Sequence, residues 1–475
     1  MEHFDRLHHP GHYLKRCRMV LKIASVTVLL TTCLAFRSPF PADAEDLLTI
    51  YRQASVSSPV LARARSLLQA DEASGSLAES ALLPKIGADA GVSRNKVDIT
   101  GFTAESVHTT YTGSNYGVTL IQPIISGRDW VALRASRAKV RAGEYAVSAA
   151  EQQLILQVSQ AYFEVLAAQA NERVAGGRRD LLNKIRDQAG AFLEAGAGTI
   201  VEVSEAEARL DAARSDLIRE QNAVRIAVQR LKRLTHQPVG PLLDLGAFQP
   251  EGPRPDSVDP WVKAALENQP LLMQAREELR ISRDQVEIAL RERWPRLDLD
   301  AGYNFTEGNF LPTIDREELH AGLVFSLPIY RGGEINAKIR QARAQAMAGE
   351  YELEDLTDRI RLDTESAFLN LKDSVSQLRA ETRALESAKI SMEATHRGYE
   401  LGTVSIVDYL DSIQNHANAQ RNYFISRYNH VLNRVRLKTA AGVLGVKDIE
   451  AINSILTHPS VKPETDDSSK KEVDK

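Results

Sequence analysis

The stretch Gly402-Thr-Val-Ser-Ile-Val-Asp-Tyr-Leu-Asp411 decides the fold of this chain, because its pattern occurs once earlier, as Gly196-Ala-Gly-Thr-Ile-Val-Glu-Val-Ser-Glu205. In both stretches a hydroxyl residue stands three positions before an acidic residue, which is the spacing of a capping box at a helix start. A second acidic residue follows three positions later, on the same face of the predicted helix. The two copies are 206 residues apart. This repetition predicts a chain built from two equivalent halves.

Other landmarks recur at nearly the same shift, which supports a duplication. Each half has the pattern of a helix, a strand, a loop, a strand, a very long helix, a break and another helix. We therefore divide the chain into a first repeat (45–236), a connection between the halves (237–260), a second repeat (261–445) and a polar tail (446–475) whose end is expected to be disordered. The recurring pairs are Pro59 and Pro270, Pro84 and Pro295, Gly127 and Gly333, and Gly143-Glu-Tyr145 and Gly349-Glu-Tyr351.

Alternating apolar residues predict one β-hairpin in each half, at about 86–124 and about 296–329. A polar segment at about 94–115 is predicted to form the longer of the two hairpin loops. Each strand would have about nine to eleven residues, which is the length of a tilted strand in an outer-membrane barrel. Four strands do not close a membrane barrel, for which single chains use about eight or more, and open edges are not tolerated in lipid. The pattern therefore predicts a transmembrane β-barrel shared by several chains.

The helical pattern at about 130–193 is unusually long. At about 1.5 Å per residue, such a helix is roughly 90 Å long. It cannot bury its apolar stripe within a small globule, so it must pack lengthwise against neighbouring helices, as in a coiled-coil tube. The expected fold class is therefore mainly α with β, in which a long coiled-coil helical tunnel adjoins the shared barrel.

Composition excludes two classes of protein and suggests export. The formal net charge of −4 excludes a strongly basic nucleic-acid binder, and the mean hydropathy of −0.28 excludes a polytopic helical membrane protein. Residues 1–44 have the regions of a secretory signal peptide, with Met19 as an alternative start. Both cysteines precede the cleavage site, so the mature chain is expected to have no thiol chemistry. Thr32 stands where lipidation of Cys33 needs a smaller residue, which argues against a lipoprotein.

The chain resembles the TolC family of outer-membrane efflux and secretion channels over residues 45–445. Besides the duplicated layout, the resemblance rests on the strand ends Gln122-Pro123-Ile124 and Leu327-Pro328-Ile329, and on the motif Tyr399-Glu-Leu-Gly-Thr-Val-Ser-Ile-Val-Asp-Tyr-Leu-Asp411. It implies a homotrimer, with a shared twelve-stranded barrel in outer-membrane lipid and a tunnel in the periplasm. It also implies a passive channel of a tripartite efflux pump or a type I secretion system, docked onto a periplasmic membrane-fusion adaptor and an inner-membrane pump.

Asp408 and Asp411 match the acids that form the family's narrow periplasmic aperture. In a trimer they would bring like charges around one axis, attract cations and repel anions. They also suit a helix start, because Ser405 and Asp408 have capping-box spacing and acids near a helix N-terminus interact favourably with its dipole. Both roles can hold together. Glu202 and Glu205 occupy the equivalent turn of the first half, and the sequence leaves open whether they face the pore or only cap the helix.

Tyr399 matches the family's gate-linking tyrosine and Glu202 matches its acidic partner, although a tyrosine in a helical stripe also serves in packing. The position of the family's gate arginine is Val404 in this chain, which removes a salt-bridging group. We therefore expect a weaker or differently latched gate. The glycines expected at the helix breaks, which are also candidates for the tip that an adaptor binds, are Gly196, Gly198 and Gly402.

The sequence leaves one alternative function open and does not support a second. A periplasmic coiled-coil adaptor or structural protein would share the signal peptide and the long helices, but it would not need two matched hairpins of membrane length. An enzyme is not expected, because the sequence contains no phosphate-binding loop, nucleophile elbow or zinc signature. No metal or other cofactor is predicted. The sequence does not specify whether the cargo is a drug, a metal or a secreted protein.

Overall fold

The computed structural model describes residues 44–99, 107–307 and 315–457. The predicted signal peptide with Met19 and Cys33, the tips of both hairpins and the end of the polar tail lie outside the described residues. Within them, two halves follow the same order of elements. The first half contains α1 (Leu47–Ser57), α2 (Pro59–Ser80), β1 (Lys85–Ile99), β2 (Val107–Ile125), α3 (Gly127–Glu194) and α4 (Ile200–Thr235).

The second half repeats this series after a short strand in the connection, and a small helix and strand end the described chain. Pro270 stands at the first position of its helix, as Pro59 does in the first half, where a missing backbone N–H is tolerated. The remaining elements are β3 (Asp244–Leu245), α5 (Asp259–Asn268), α6 (Pro270–Arg291), β4 (Arg296–Glu307), β5 (Arg316–Ser326), α7 (Glu334–Glu400), α8 (Ile406–Ala440), α9 (Val446–Asn453) and β6 (Leu456–Thr457).

One antiparallel sheet combines the hairpins of both halves, in the strand order β1-β2-β4-β5. The halves meet between β2 and β4, where Tyr116 and Phe305 are paired and stack with ring centroids 4.9 Å apart. Directly paired residues point to the same face of a sheet. The register therefore collects apolar residues of all the strands on one face, as it does for the consecutive partners Ala88, Val118 and Tyr303. Within the described chain, β1 and β5 are the two edges of this sheet.

The first hairpin differs from the prediction in the length of its strands. β1 has 15 residues and β2 has 19, whereas β4 and β5 have 12 and 11. Most of the polar segment 94–115, for which the sequence predicts a loop, is paired strand, with Arg94 opposite Thr112. Thr109-Thr-Tyr-Thr112 explains the difference, because β-branched and aromatic side chains favour extended backbone without an apolar alternation. The loop prediction is therefore wrong for most of this segment.

Two very long helices have nearly equal lengths, with 68 residues in α3 and 67 in α7. Each is therefore about 100 Å long, and they pack lengthwise against α4 and α8 respectively. Both end in the same way. Gly196 and Gly402 each have a φ of 72°, and the N–H groups of Ala197 and Thr403 donate to the carbonyls of Phe192 and Gly398 at 2.8 Å. This left-handed glycine ending closes the last turn and reverses the chain.

The main core lies where the middle of α3 meets α1, the C-terminal part of α8 and the connection. Tyr162 is fully buried there, and its hydroxyl donates to the Leu243 carbonyl at 2.7 Å. The segment 446–457, assigned by sequence to the polar tail, is ordered. Ile449 and Ile452 of α9 are buried in this core, and β6 pairs with β3 of the connection. None of the helices in the described part of the chain combines the length and apolar character needed to span a membrane.

Candidate functional site

Matching N-caps begin α4 and α8, directly after the two helix breaks. The Thr199 hydroxyl accepts from the Glu202 N–H at 3.3 Å, and the Glu202 carboxylate accepts from the Thr199 N–H at 2.8 Å, which completes a capping box. In the second half the Ser405 hydroxyl accepts from the Asp408 N–H at 3.2 Å and donates to the Asp408 carboxylate at 2.7 Å. Glu202 and Asp408 therefore both help to start a helix.

The two helix breaks lie at the same end of the molecule. One buried apolar cluster contains residues of α3 and α4, such as Ile185 and Leu210, together with Ile406 and Leu410 of α8. We call this end, comprising residues 192–211 and 398–411, the tip. It contains the break glycines Gly196, Gly198 and Gly402 and, among its acids, the four predicted as site residues, which are Glu202, Glu205, Asp408 and Asp411.

Arg209 joins the acids of the two halves. Its Nε lies 3.0 Å from Glu205 Oε1, and its Nη2 lies 3.0 Å from Asp411 Oδ1. The hydrogen bond to Glu205 and then the charge of Asp411 raise the pKa of the Arg209 guanidinium. The sequence patterns did not indicate this residue. Arg209 lies four residues after Glu205 on the same helix face, and this spacing could have predicted the ion pair between them.

The four predicted site acids are not in equivalent surroundings. Asp408 and Asp411 are exposed, whereas Glu202 and Glu205 are half-buried. Within the described ranges, Glu205 and Asp411 share Arg209, but neither Glu202 nor Asp408 forms an ion pair. No group of three or more His, Cys, Asp or Glu residues in these ranges is arranged to hold a metal ion. Glu202 and Asp408 therefore leave negative charge uncompensated at the tip, and Asp408 is the more exposed of the two.

Tyr399 packs inside the tip. Its ring stacks on that of Tyr409, with centroids 5.7 Å apart and an interplanar angle of 22°. Burial, and next the negative charge of Glu202, raise the pKa of the Tyr399 hydroxyl. Among the described residues no hydrogen bond joins these two side chains, because the Glu202 carboxylate is held by the Thr199 N–H. Tyr399 and Glu202 are thus electrostatic neighbours in this state, and the gate link between them stays a prediction.

Apolar side chains are exposed around the tip. Ile200 and Val201 at the start of α4 are 63% and 71% exposed, and Leu401 at the opposite break is 78% exposed. Val404 instead packs over Gly398, where an added Cβ would lie 2.5 Å from a Val404 methyl group. The position of the expected gate arginine is therefore used for apolar packing, and the ionic contact between the halves comes from another residue.

The two halves match a known family. The sequence model described as "Outer membrane efflux protein" covers residues 50–236 and 261–443. The chain belongs to this family. The matched segments coincide with the two structural halves, and the interval between them falls on the connection. The predicted resemblance and the predicted location in the outer membrane are thereby confirmed.

This outer membrane efflux protein is similar to known proteins over most of its length. It is 28% identical over 417 residues to the Outer membrane protein TolC of Vibrio cholerae, covering 86% of this chain and 94% of that protein. It is 25% identical over 387 residues to the Alkaline protease secretion protein AprF of Pseudomonas aeruginosa, covering 79% and 80%. The crystal structure of the Campylobacter jejuni CmeC outer membrane channel matches with a TM-score of 0.76 at 21% identity, covering 87% of this chain and 90% of that chain. The expected fold class, mainly α with β in a duplicated repeat, is confirmed.

Proposed function

We propose that three copies of this chain form a passive exit duct through the outer membrane. The observation that carries the proposal is the four-stranded sheet with two open edges, joined at one end to helices about 100 Å long. Four strands cannot close, and lipid does not tolerate open edges. Edge pairing of β1 with β5 of a neighbouring copy would give three chains a barrel of twelve strands. The apolar face of the sheet then faces lipid and the polar face lines the duct.

The tip would form the narrow periplasmic entrance of this duct. Three copies would bring Asp408 and Asp411 around one axis, where like charges attract cations and repel anions. Asp408 contributes its full charge, because it has no basic partner in the described chain, whereas Arg209 partly offsets Asp411. Glu202 and Glu205 would lie at the same level, because the starts of α4 and α8 share one apolar cluster. The entrance is therefore proposed to be cation-selective, with a gate between the two halves.

The exposed apolar residues of the tip favour a protein partner. Ile200, Val201 and Leu401 surround the break glycines and would be covered by a periplasmic adaptor that connects the duct to an inner-membrane pump. The duct itself does not define the cargo. The match to the outer membrane efflux protein family and the similarity to a protein named for protease secretion support the shared role, an exit path for a tripartite efflux pump or a type I secretion system.

Single-channel recording of the purified mature protein in planar bilayers tests this function. We expect a small, cation-selective conductance that loses selectivity in the double variant Asp408→Asn/Asp411→Asn. Asp373→Asn is the matched control, because Asp373 is an exposed acid on α7 away from the tip. A channel unchanged by the double variant would return both acids to a capping role. A protein without conductance that leaves the membrane on carbonate washing would instead favour a periplasmic adaptor or structural protein.

A further inference from the structure

A polar cavity of about 220 Å³ lies where the sheet joins the long helices. It is enclosed by the start of α3, the end of α6, and the segments that lead into β4 and out of β5. This volume is smaller than that of a typical drug-sized pocket and suits a small polar group. The residues that line it are Ser126, Gly127, Arg128, Arg291, Glu292, Trp294, Pro295, Arg296, Ser326, Pro328, Arg331 and Lys338.

Basic side chains predominate in the lining of this cavity, which contains five of them and one carboxylate. Three of the basic groups are already paired with acids. Within the described ranges, Arg128 and Arg331 form no ion pair, and both are exposed to solvent at the cavity. The existing pairs are Arg291 with Glu287 at 2.6 Å, Arg296 with Asp298 at 2.8 Å and with Asp129 at 3.6 Å, and Lys338 with Glu292 at 3.0 Å and with Glu334 at 2.8 Å.

Two helix N-termini add to the field of these arginines. α3 and α7 both begin at this cavity, after Ser126 and Gly333, and neither start has a side-chain cap on its backbone N–H groups. The Ser126 hydroxyl donates to the Asp129 carboxylate instead. An uncapped N-terminus carries a partial positive charge, which attracts anions. Asp129 and Glu334 in the first helical turns offset part of this field, so the direct contacts to an anion would come from Arg128 and Arg331.

The sheet register shows which side of the sheet the cavity belongs to. Arg296 and Ser326 line the cavity and are directly paired across β4 and β5, so they share one face of the sheet. Asp298 is two residues after Arg296 in β4, so its side chain lies on the same face. The next pair, Leu297 with Phe325, points to the opposite, apolar face. In the barrel proposed above, the polar face lines the interior, and the cavity therefore opens toward the duct.

We propose that this cavity is a binding site for a small oxyanion of the phosphate class. Arg128 and Arg331 would contact the anion directly, since guanidinium groups form bidentate hydrogen bonds with such oxygens. The paired cations and the helix starts would add long-range attraction. The placement of this site in the duct rests on the proposed function. A trimer would have three such sites, which would form a ring, here called the collar, between the helical tunnel and the barrel. The duct would then have an anion-binding collar beyond its acidic entrance.

Calorimetric titration of inorganic phosphate into the full-length trimer, held in a phosphate-free maltoside detergent, tests the site. We expect binding to the wild type and affinity reduced by about tenfold or more in Arg128→Gln/Arg331→Gln, because two charge-assisted contacts are lost. The control Arg225→Gln/Arg233→Gln removes the same charge from exposed positions of α4 and should bind phosphate like the wild type. Melting temperatures and native gels establish that all variants are folded trimers.

Three results would overturn the proposal: no phosphate binding, equal binding by the wild type and the cavity variant, or displacement of phosphate by micelles containing phosphatidylglycerol. The last result would assign the cavity to a lipid headgroup at the membrane surface, because a site in the duct is not accessible to lipid. The titration does not depend on transport. If the protein binds phosphate but forms no channel, the proposed function is contradicted and the anion site is not. If the protein conducts ions but does not bind phosphate, the anion site is contradicted and the proposed function is not.

Discussion

Arg209 and Asp411, which belong to different halves of the duplicated chain, form an ion pair with Nη2 3.0 Å from Oδ1. The two side chains are 35% and 55% exposed, so the pair contributes less than about 1 kcal/mol to stability. Its importance is local. It connects α4 to the first turns of α8, and it offsets the charge of one of the two acids proposed to line the entrance.

Replacing Arg209 by Gln is therefore expected to raise both the conductance and the cation selectivity of the channel. The change removes this ionic contact between α4 and α8 and leaves the Asp411 charge uncompensated. Reversal potentials under a salt gradient measure the selectivity. Arg214→Gln is the matched control, because Arg214 pairs with Asp211 on the same helix. If both variants conduct like the wild type, Arg209 has no part in the entrance.

Ser405→Ala should separate the capping role of Asp408 from its role in the pore. Loss of an N-cap costs about 1 kcal/mol, so we expect amide hydrogen exchange in the first turn of α8 to become about fivefold faster. The carboxylate of Asp408 keeps its charge, and ion selectivity should stay at the wild-type value.

Asp408→Asn is the counterpart of this variant. The Ser405 hydroxyl can still accept from the N–H of residue 408, so exchange should change less than in Ser405→Ala. Selectivity for cations should fall. A loss of selectivity in Ser405→Ala as large as that in Asp408→Asn would contradict a separate pore role for the acid.

His430 predicts a dependence of stability on pH. It is 1% exposed, its Nδ1 lies 2.8 Å from Ser374 Oγ, and burial lowers its pKa to about 4. Because the unfolded value is about 6.5, the unfolded chain binds a proton between these two values that the folded chain does not. Stability from this residue is complete above pH about 6.5 and falls as the pH is lowered toward 4, by roughly 3 kcal/mol per chain.

Melting temperatures between pH 7 and pH 4.5 measure this effect. His430→Gln should lower the melting temperature at neutral pH, and its further decrease on acidification should be smaller than that of the wild type. His236→Asn is the control, because His236 is exposed and has a φ of 55°, which asparagine tolerates. Parallel curves for the wild type and His430→Gln would show that another group controls the acid response.

Gly402→Ala is expected to destabilise the tip by about 1–2 kcal/mol, because the φ of 72° at this position is unfavourable for a residue with a Cβ. For Gly177→Ala we expect the opposite effect on stability. Gly177 lies inside α3 with no atom within 4 Å of an added Cβ, so alanine should stabilise by about 0.5–1 kcal/mol. Thermal unfolding of the two variants measures both effects. Similar melting temperatures for them would contradict a left-handed requirement at Gly402.

Local sequence patterns predicted much of the helical architecture. The pairs Thr199 with Glu202 and Ser405 with Asp408 are three residues apart, so the helix geometry itself brings them together. Repetition of the same local pattern in both halves then indicated equivalent ends. The same patterns do not predict the strands within 94–115, because the paired residues there have β-propensity without apolar alternation.

Local sequence patterns could not predict contacts between segments that are distant in the sequence. Arg209 meets Asp411 only because α4 and α8 pack at one rotation about their axes, which no local pattern specifies. In the same way, Ile449 and Ile452 look like isolated apolar residues at the start of a polar tail. They become core residues because β6 pairs with β3, an element of the connection far away in the sequence.

Because the edges of the sheet are open, assembly of one copy into a closed barrel depends on the other copies. Neither β1 nor β5 has a partner strand within the described chain, so in the proposed trimer every barrel contains edges from three gene products. A copy with a defective edge strand would not fail alone. It would enter assemblies with intact copies and open their barrels as well. Such an allele would be dominant in a cell that also makes the intact protein, whereas an allele that abolishes synthesis would be recessive.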